Sequence, residues 1–163
     1  MITVKSVDAL PEARLRIKLS TGRWIEVDIA DYLDAPGYER LANTTFFRKV
    51  GIAEWGHGVS WPGDIAIPID TLNRLAKEQL GLAWPTHFFN AWMERNGMCD
   101  TDAAKVLGLT RKTILRYQTG ASPIPKYIGL ACEGWEIRLA NKKLAITKRI
   151  QQKYRGALQQ LAK

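Results

Sequence analysis

The stretch Asp100–Gly120, DTDAAKVLGLTRKTILRYQTG, decides how the second half of the chain folds. It reads as two short helices joined by a tight turn. Asp100 and Thr101 are the expected caps of the first helix, because their side-chain oxygens can accept from its unpaired N-terminal amides. Ala103, Ala104 and Leu107 recur at helical spacing and mark an inward face. Gly108 predicts the stop, since glycine takes a left-handed conformation without steric cost. Leu109 is the expected buried plug of the turn and Thr110 the expected cap of the second helix. Ile114 and Tyr117 give that helix its inward stripe, and Gly120 ends it. With those two side chains turned in, Arg111, Lys112, Thr113, Leu115 and Arg116 are left pointing out. A short helix packed from behind, with cations and hydroxyls at its free N-terminal end, is shaped to enter a DNA major groove.

The charge agrees with that direction. The chain of 163 residues carries a formal net charge of +8, unevenly placed. Residues 1–80 hold 10 Lys and Arg against 11 Asp and Glu, whereas residues 81–163 hold 14 against 5. All of the positive excess lies on the half that carries the two-helix motif, as an electrostatic footprint for a polyanion requires. A hydrophobic content of 46% argues against wholesale disorder. No apolar run approaches the roughly 18 residues of a membrane span, and MITVKSVDAL is not a signal peptide, so the expectation is a cytoplasmic protein without membrane attachment. Cys99 and Cys132 lack ligand partners at metal spacing and read as reduced thiols.

Upstream, the pattern changes from helical to period two. Leu15, Ile17 and Leu19 alternate with Arg14, Arg16 and Lys18. After a Thr21-Gly22 turn, Ile25, Val27 and Ile29 alternate with Trp24, Glu26 and Asp28. This predicts an antiparallel hairpin with one buried face, preceded by a strand at Ile2 and Val4. Thr44-Thr45-Phe46-Phe47 heads a short helix, and AEWGHGVSWPGD (residues 53–64) reads as a hairpin ending at Pro62-Gly63. His57 beside Asp64 has no nucleophile or second metal ligand near it and reads as part of a turn. Asp70 is the expected cap of a helix over 71–80, with Leu72, Leu75, Ala76 and Leu80 covering the sheet. Composition, charge and period all shift at Gly81–Pro85, which predicts a hinge there. Thr86 to Asn96 follows as a helix whose Phe88, Phe89, Trp92 and Met93 form a broad apolar face. Residues 127–139 and 141–163 then read as two further helices. The first turns Ile128, Leu130, Ala131, Trp135 and Leu139 inward, and the second is basic and amphipathic through Leu144, Ile146, Ile150, Tyr154, Leu158 and Leu161.

The fold class expected is α+β: a small antiparallel sheet with a covering helix over residues 1–81, followed by an all-α helix-turn-helix domain over 82–163. Ala104, Leu107-Gly108-Leu109-Thr110, Ile114, Tyr117, Gly120 and the following Pro123-Ile124-Pro125 resemble the lambda-repressor-like (Cro-type) helix-turn-helix family over roughly residues 85–140. That resemblance implies a DNA-binding transcriptional regulator of duplex DNA, acting as a homodimer on paired half-sites. On it, Arg111 and Lys112 would read base edges and Leu115 a thymine methyl. Thr110, Thr113, Arg116 and Thr119 would meet phosphates, joined by Ser122 and Lys126 in the next loop. Leu15 through Gly22, Val27-Asp28-Ile29, Leu41 with Phe46-Phe47, and Trp61-Pro62-Gly63-Asp64-Ile65 leading into Asp70-Thr71-Leu72 resemble a bacterial domain family of unknown function. That second resemblance implies a small α+β domain and no activity.

Two observations pull the other way. Asp100 and Asp102 put negative charge where this type of motif approaches a phosphate. No heptad marks a dimer surface, so the N-terminal sheet edge and the last helix both stay open for that role. The competing reading is a protein–protein module, or an antitoxin-like protein holding a partner, with the helix-turn-helix as scaffold and the N-terminal domain as a further partner surface. No Walker loop, dinucleotide fingerprint, metal cluster or nucleophile–base pair is present, so neither an enzyme nor a cofactor is expected.

Overall fold

The computed structural model describes residues 2–161, with side chains placed as far as Arg155, and its architecture is α+β. Strands β1 (Val4–Leu10), β2 (Arg14–Leu19) and β3 (Trp24–Asp28) form an antiparallel meander in that order. Register follows the period-two pattern: Leu15 pairs with Val27 and Ile17 with Ile25, all buried, while Arg14 pairs with Asp28 and Arg16 with Glu26 on the outer face. Trp24 ends the outer row under the guanidinium of Arg16, 4.8 Å from its ring centre. A second meander, β4 (Gly51–Ile52), β5 (Gly58–Trp61) and β6 (Ile65–Pro68), follows the four-residue helix α1 (Thr44–Phe47). Pro62-Gly63, expected to end a hairpin, is instead the turn between β5 and β6. The residues before β5 form a 3-10 turn, Glu54–Gly56, in which Trp55 adopts φ 58° and stands exposed. His57 closes that turn through its backbone, its N–H donating to Glu54 and its carbonyl accepting from Ile69.

Helix α2 (Ile69–Gln79) packs on β3, β5 and β6 through Leu72 and Ala76. Its cap is Pro68, which gives the helix no side-chain acceptor; Asp70 sits inside the first turn, where its charge suits the helix N-terminus. Leu80 is exposed, one residue beyond the helix. These elements share one hydrophobic cluster running from Val4 to Ala76, in which the Trp61 indole N–H donates to the Phe47 carbonyl at 2.8 Å.

A second cluster draws only on later residues, from Phe89 to Cys132. It joins α3 (Thr86–Arg95), α4 (Asp100–Leu107), α5 (Arg111–Gln118) and the start of α6 (Lys126–Leu161). Phe89, Trp92 and Met93 are buried as expected, whereas Phe88 is half-exposed and lies against His87 with the two rings tilted by 54°. The Gly81–Pro85 segment is anchored: Ala83 is buried, and Trp84 N–H donates to the Ile124 carbonyl at 2.7 Å.

The largest departure from the sequence reading is α6, a single helix where two were expected. The expected break between residues 139 and 141 is absent, and Gly129 lies within the first turns of the continuous helix. A Cβ there would lie 2.7 Å from the Trp84 ring, so the glycine is the space that the indole occupies. Ile128 and Cys132 face the cluster, while Leu130 and Ala131 point outward. Of the basic amphipathic stretch, Leu144, Ile146, Ile150 and Tyr154 are exposed; Leu158 and Leu161 lie outside the described side chains. No described helix is long and apolar enough to cross a membrane.

Two measurements follow from this packing. A Cβ at Gly58 would run into the Ile67 carbonyl across the β5–β6 pair. Gly58→Ala is therefore expected to cost about 1–3 kcal/mol in urea denaturation, the usual price of overpacking. Arg95 grips Glu136 of α6 with two hydrogen bonds of 2.7 and 2.8 Å, assisted by Asn96, and this holds the Glu136 carboxyl below the usual range. A depressed carboxyl stabilises the fold above its unfolded pKa, and that contribution disappears as pH falls through the folded one. The pair is partly exposed, so Glu136→Gln should lower stability at neutral pH by no more than about 1 kcal/mol. The difference in Tm between it and the natural chain should close on acidification.

Candidate nucleic-acid interface

The site is built on α4, Gly108 and α5. Cys99, not Asp100 or Thr101, is the N-cap of α4. The Asp102 carboxylate reaches back to accept from the Cys99 backbone N–H at 3.3 Å and from its thiol at 2.9 Å. The thiol bond, then the amide bond, lower the Asp102 pKa. The cap falls one residue early because Asp102, at the third helical position, can close a reciprocal loop that Asp100 and Thr101 have no partner to make. Gly108 ends α4 at φ 67°, and its N–H returns to the Ala104 carbonyl. Leu109 is half-buried, not a buried plug, and packs on the edge of the second cluster.

Thr110 caps α5: its hydroxyl accepts from the Thr113 N–H at 3.2 Å. Ile114 is fully buried and Tyr117 nearly so, the latter edge-on to Phe89 at 5.7 Å. Burial raises the Tyr117 pKa above the ordinary phenol value. The opposite face of α5 presents Arg111, Lys112, Leu115, Arg116 and Thr119, all exposed.

The expected contact residues are brought together unequally. Arg111 leads the exposed face and makes an ion pair with Asp100, its Nε 3.5 Å from the carboxylate. Its two terminal nitrogens have no hydrogen bond among the described residues. Lys112, Leu115 and Arg116 share its face. Thr113 is half-buried and its hydroxyl faces Thr110 at 2.9 Å, while the Thr119 hydroxyl donates to the Leu115 carbonyl at 2.8 Å, so both already serve the helix ends. Ser122 is half-buried in the following loop, and Lys126 opens α6 on an exposed turn. The Asp100–Arg111 pair went unread in the sequence, where eleven residues separate the two; a turn of known length between two short helices is the signal that could have placed them side by side.

The end of α5 also touches the first half of the chain. Arg74 and Glu78 of α2 form an ion pair of 3.0 Å with both side chains largely buried. Glu78 further accepts from the Thr86 N–H and hydroxyl at the start of α3. Gly120 lies over Arg74: a Cβ there would be 2.7 Å from the arginine Nε.

Residues 4–78 match the family described as a protein of unknown function (DUF2442). No curated protein matches the chain. Among solved structures, the chain is similar to a protein of Nitrosomonas europaea ATCC 19718 whose name reads "Putative DNA Binding Protein". The two share 37% sequence identity over 83% of this chain and 87% of the other, with a TM-score of 0.54.

Removal of the α5 cap tests the geometry directly. Thr110→Ala should lower stability by about 1 kcal/mol in thermal denaturation, since it leaves the Thr113 amide without its acceptor.

Proposed function

We propose that the chain, which belongs to the family of the Nitrosomonas europaea protein, is a sequence-specific DNA-binding transcriptional regulator. Binding, not catalysis, is its activity. Residues 82–163 form the DNA-binding domain and residues 1–81 a separate α+β domain. The observation that carries this reading is the orientation of α5. Ile114 and Tyr117 hold one side in the core, while Arg111, Lys112, Leu115 and Arg116 are exposed on the other. A helix held this way can enter the major groove N-terminus first. The neighbour's name supports the same partner.

In this mechanism Arg111 reads a guanine. With Nε turned to Asp100, its terminal nitrogens are left for the O6 and N7 acceptors of the base. Lys112 is the second reader and Leu115 the contact for a thymine methyl. Arg116 and Lys126 meet phosphates, which set register and affinity without selecting sequence; Thr119 joins them only by releasing its hydroxyl from the Leu115 carbonyl. Thr110, Thr113 and Ser122 add hydroxyls at the two ends of α5.

Selection of the full chain against a random duplex library, at low and at physiological salt, tests the reading. An enriched site at physiological salt is the expected result. In that site Arg111→Ala should relax one base position at a cost of about 1–3 kcal/mol. Equal weakening on every sequence would instead make Arg111 a backbone contact. Retention at low salt alone, with no enriched site, would reduce the chain to a general polyanion binder, and no retention at either salt would remove DNA as the partner.

A further inference from the structure

The outer half of α6 carries a surface that the helix-turn-helix does not use. Every residue from Ala140 to Arg155 is exposed, although the helix is continuous from the buried core outward. Ile137, Leu144, Ile146, Ile150 and Tyr154 are between 48% and 68% exposed. So many large apolar side chains on one short stretch exceed the single exposed residues of an ordinary surface. At about 100° per residue they gather into one broad arc. Leu139, Ile146, Ile150 and Tyr154 run along one border, and Ile137, Ala140 and Leu144 along the other. Lys143 falls inside the arc, between Ile150 and Tyr154. Arg138, Lys142, Arg149 and Lys153 cover the opposite side, and Lys148 and Arg155 edge the arc beside Ile137 and Leu144. From Ile137 to Lys163 the sequence contains no Asp or Glu.

We propose that this face docks an acidic amphipathic helix of a partner protein. Its apolar residues cover the arc, and its carboxylates meet Lys143, Lys148 and Arg155. Lys143 decides the choice of occupant. Covering the arc draws its ammonium out of water, which is tolerated only where an opposite charge receives it. A second copy of this helix would bring Lys143, Lys148 and Arg155 to a surface with no carboxylate of its own. DNA supplies phosphates but nothing to cover five large apolar side chains. A membrane-surface helix of this kind draws on Trp or Phe in its apolar face, and this arc has neither. Charges beside an apolar seam select one partner helix over another, so the same residues set affinity and identity. The inference does not rest on DNA binding.

The test titrates the full chain, by fluorescence anisotropy, with two labelled heptad peptides sharing an Ile/Leu seam. One carries Glu at the flanking positions and the other Lys. The expected result is that the Glu peptide binds at least about tenfold tighter. The double change Leu144→Glu with Tyr154→Glu should abolish that binding. The triple change Lys143→Glu, Lys148→Glu and Arg155→Glu should reverse the preference toward the Lys peptide. All five positions are exposed, so the fold is kept, and circular dichroism verifies it. Three results would overturn the proposal. The first is equal or no binding of the two peptides, or a preference that charge reversal leaves in place. The second is a dimer in sedimentation that Leu144→Glu dissociates, which would give the face to a second copy. The third is attachment to phosphatidylglycerol vesicles without binding of either peptide, which would give it to a lipid surface.

Discussion

Burial of Ile114 and Tyr117 against Phe89 fixes which way α5 faces, and everything said about its outer surface depends on that anchoring. Eight residues are too few for a helix to persist in water on its own propensity. Here α5 is held at both ends and along its back: Thr110 satisfies an N-terminal amide, Gly120 turns the chain away, and the two buried side chains supply the apolar contact. Rotation of α5 by a single residue would expose the tyrosine ring and bury Arg116 in one direction or Gln118 in the other, so the core selects one orientation. The cationic face is thus a consequence of packing behind it.

The same helix is constrained from the first half of the chain. Arg74 is mostly buried, pairs with Glu78, and lies directly beneath Gly120. A buried ion pair is stable only when its remaining valences are filled, and Thr86 fills those of Glu78 with two hydrogen bonds. The Arg74 Nε remains buried without a partner. Gly120 therefore answers two demands at once: a left-handed φ of 69° to leave the helix, and the absence of a side chain that would strike the guanidinium. The two hydrophobic clusters are separate, but the end of α5 and the start of α3 are both tied to α2.

How far the sequence could be read depended on the range of the forces concerned. The strand pattern, the left-handed Gly108, the Thr110 cap and the inward pair on α5 are local, and each was legible because period or stereochemistry leaves one solution. The errors were of another kind. The break expected between residues 139 and 141 does not occur, and the use of Gly129 within the helix shows only once the Trp84 ring, 45 residues earlier, is seen to fill its space. Phe88 and Leu130 fit an apolar stripe in projection but lie beyond the edge of what their neighbours cover. The move of the α4 cap to Cys99 turned on a reciprocal bond from Asp102, which residue preferences taken singly do not reveal. The outer half of α6 was legible as amphipathic, yet no pattern within it could say that none of the described residues would cover it.

The two aspartates at the start of α4 pose the sharpest objection to a DNA surface, and their geometry answers most of it. Asp102 is spent on the cap, its charge directed back at an amide and a thiol. Asp100 faces Arg111, and at 3.5 Å the pair is electrostatic more than hydrogen-bonded. A carboxylate beside a groove-facing arginine repels the phosphates nearby, but it also narrows the orientations that a long side chain must give up on binding. Exposed ion pairs of this kind contribute little to stability, on the order of 1 kcal/mol or less, so Asp100 does not hold the fold together. Within the proposed function its effect falls on the choice of base, because it holds the arginine through Nε and leaves both terminal nitrogens without a hydrogen bond among the described residues.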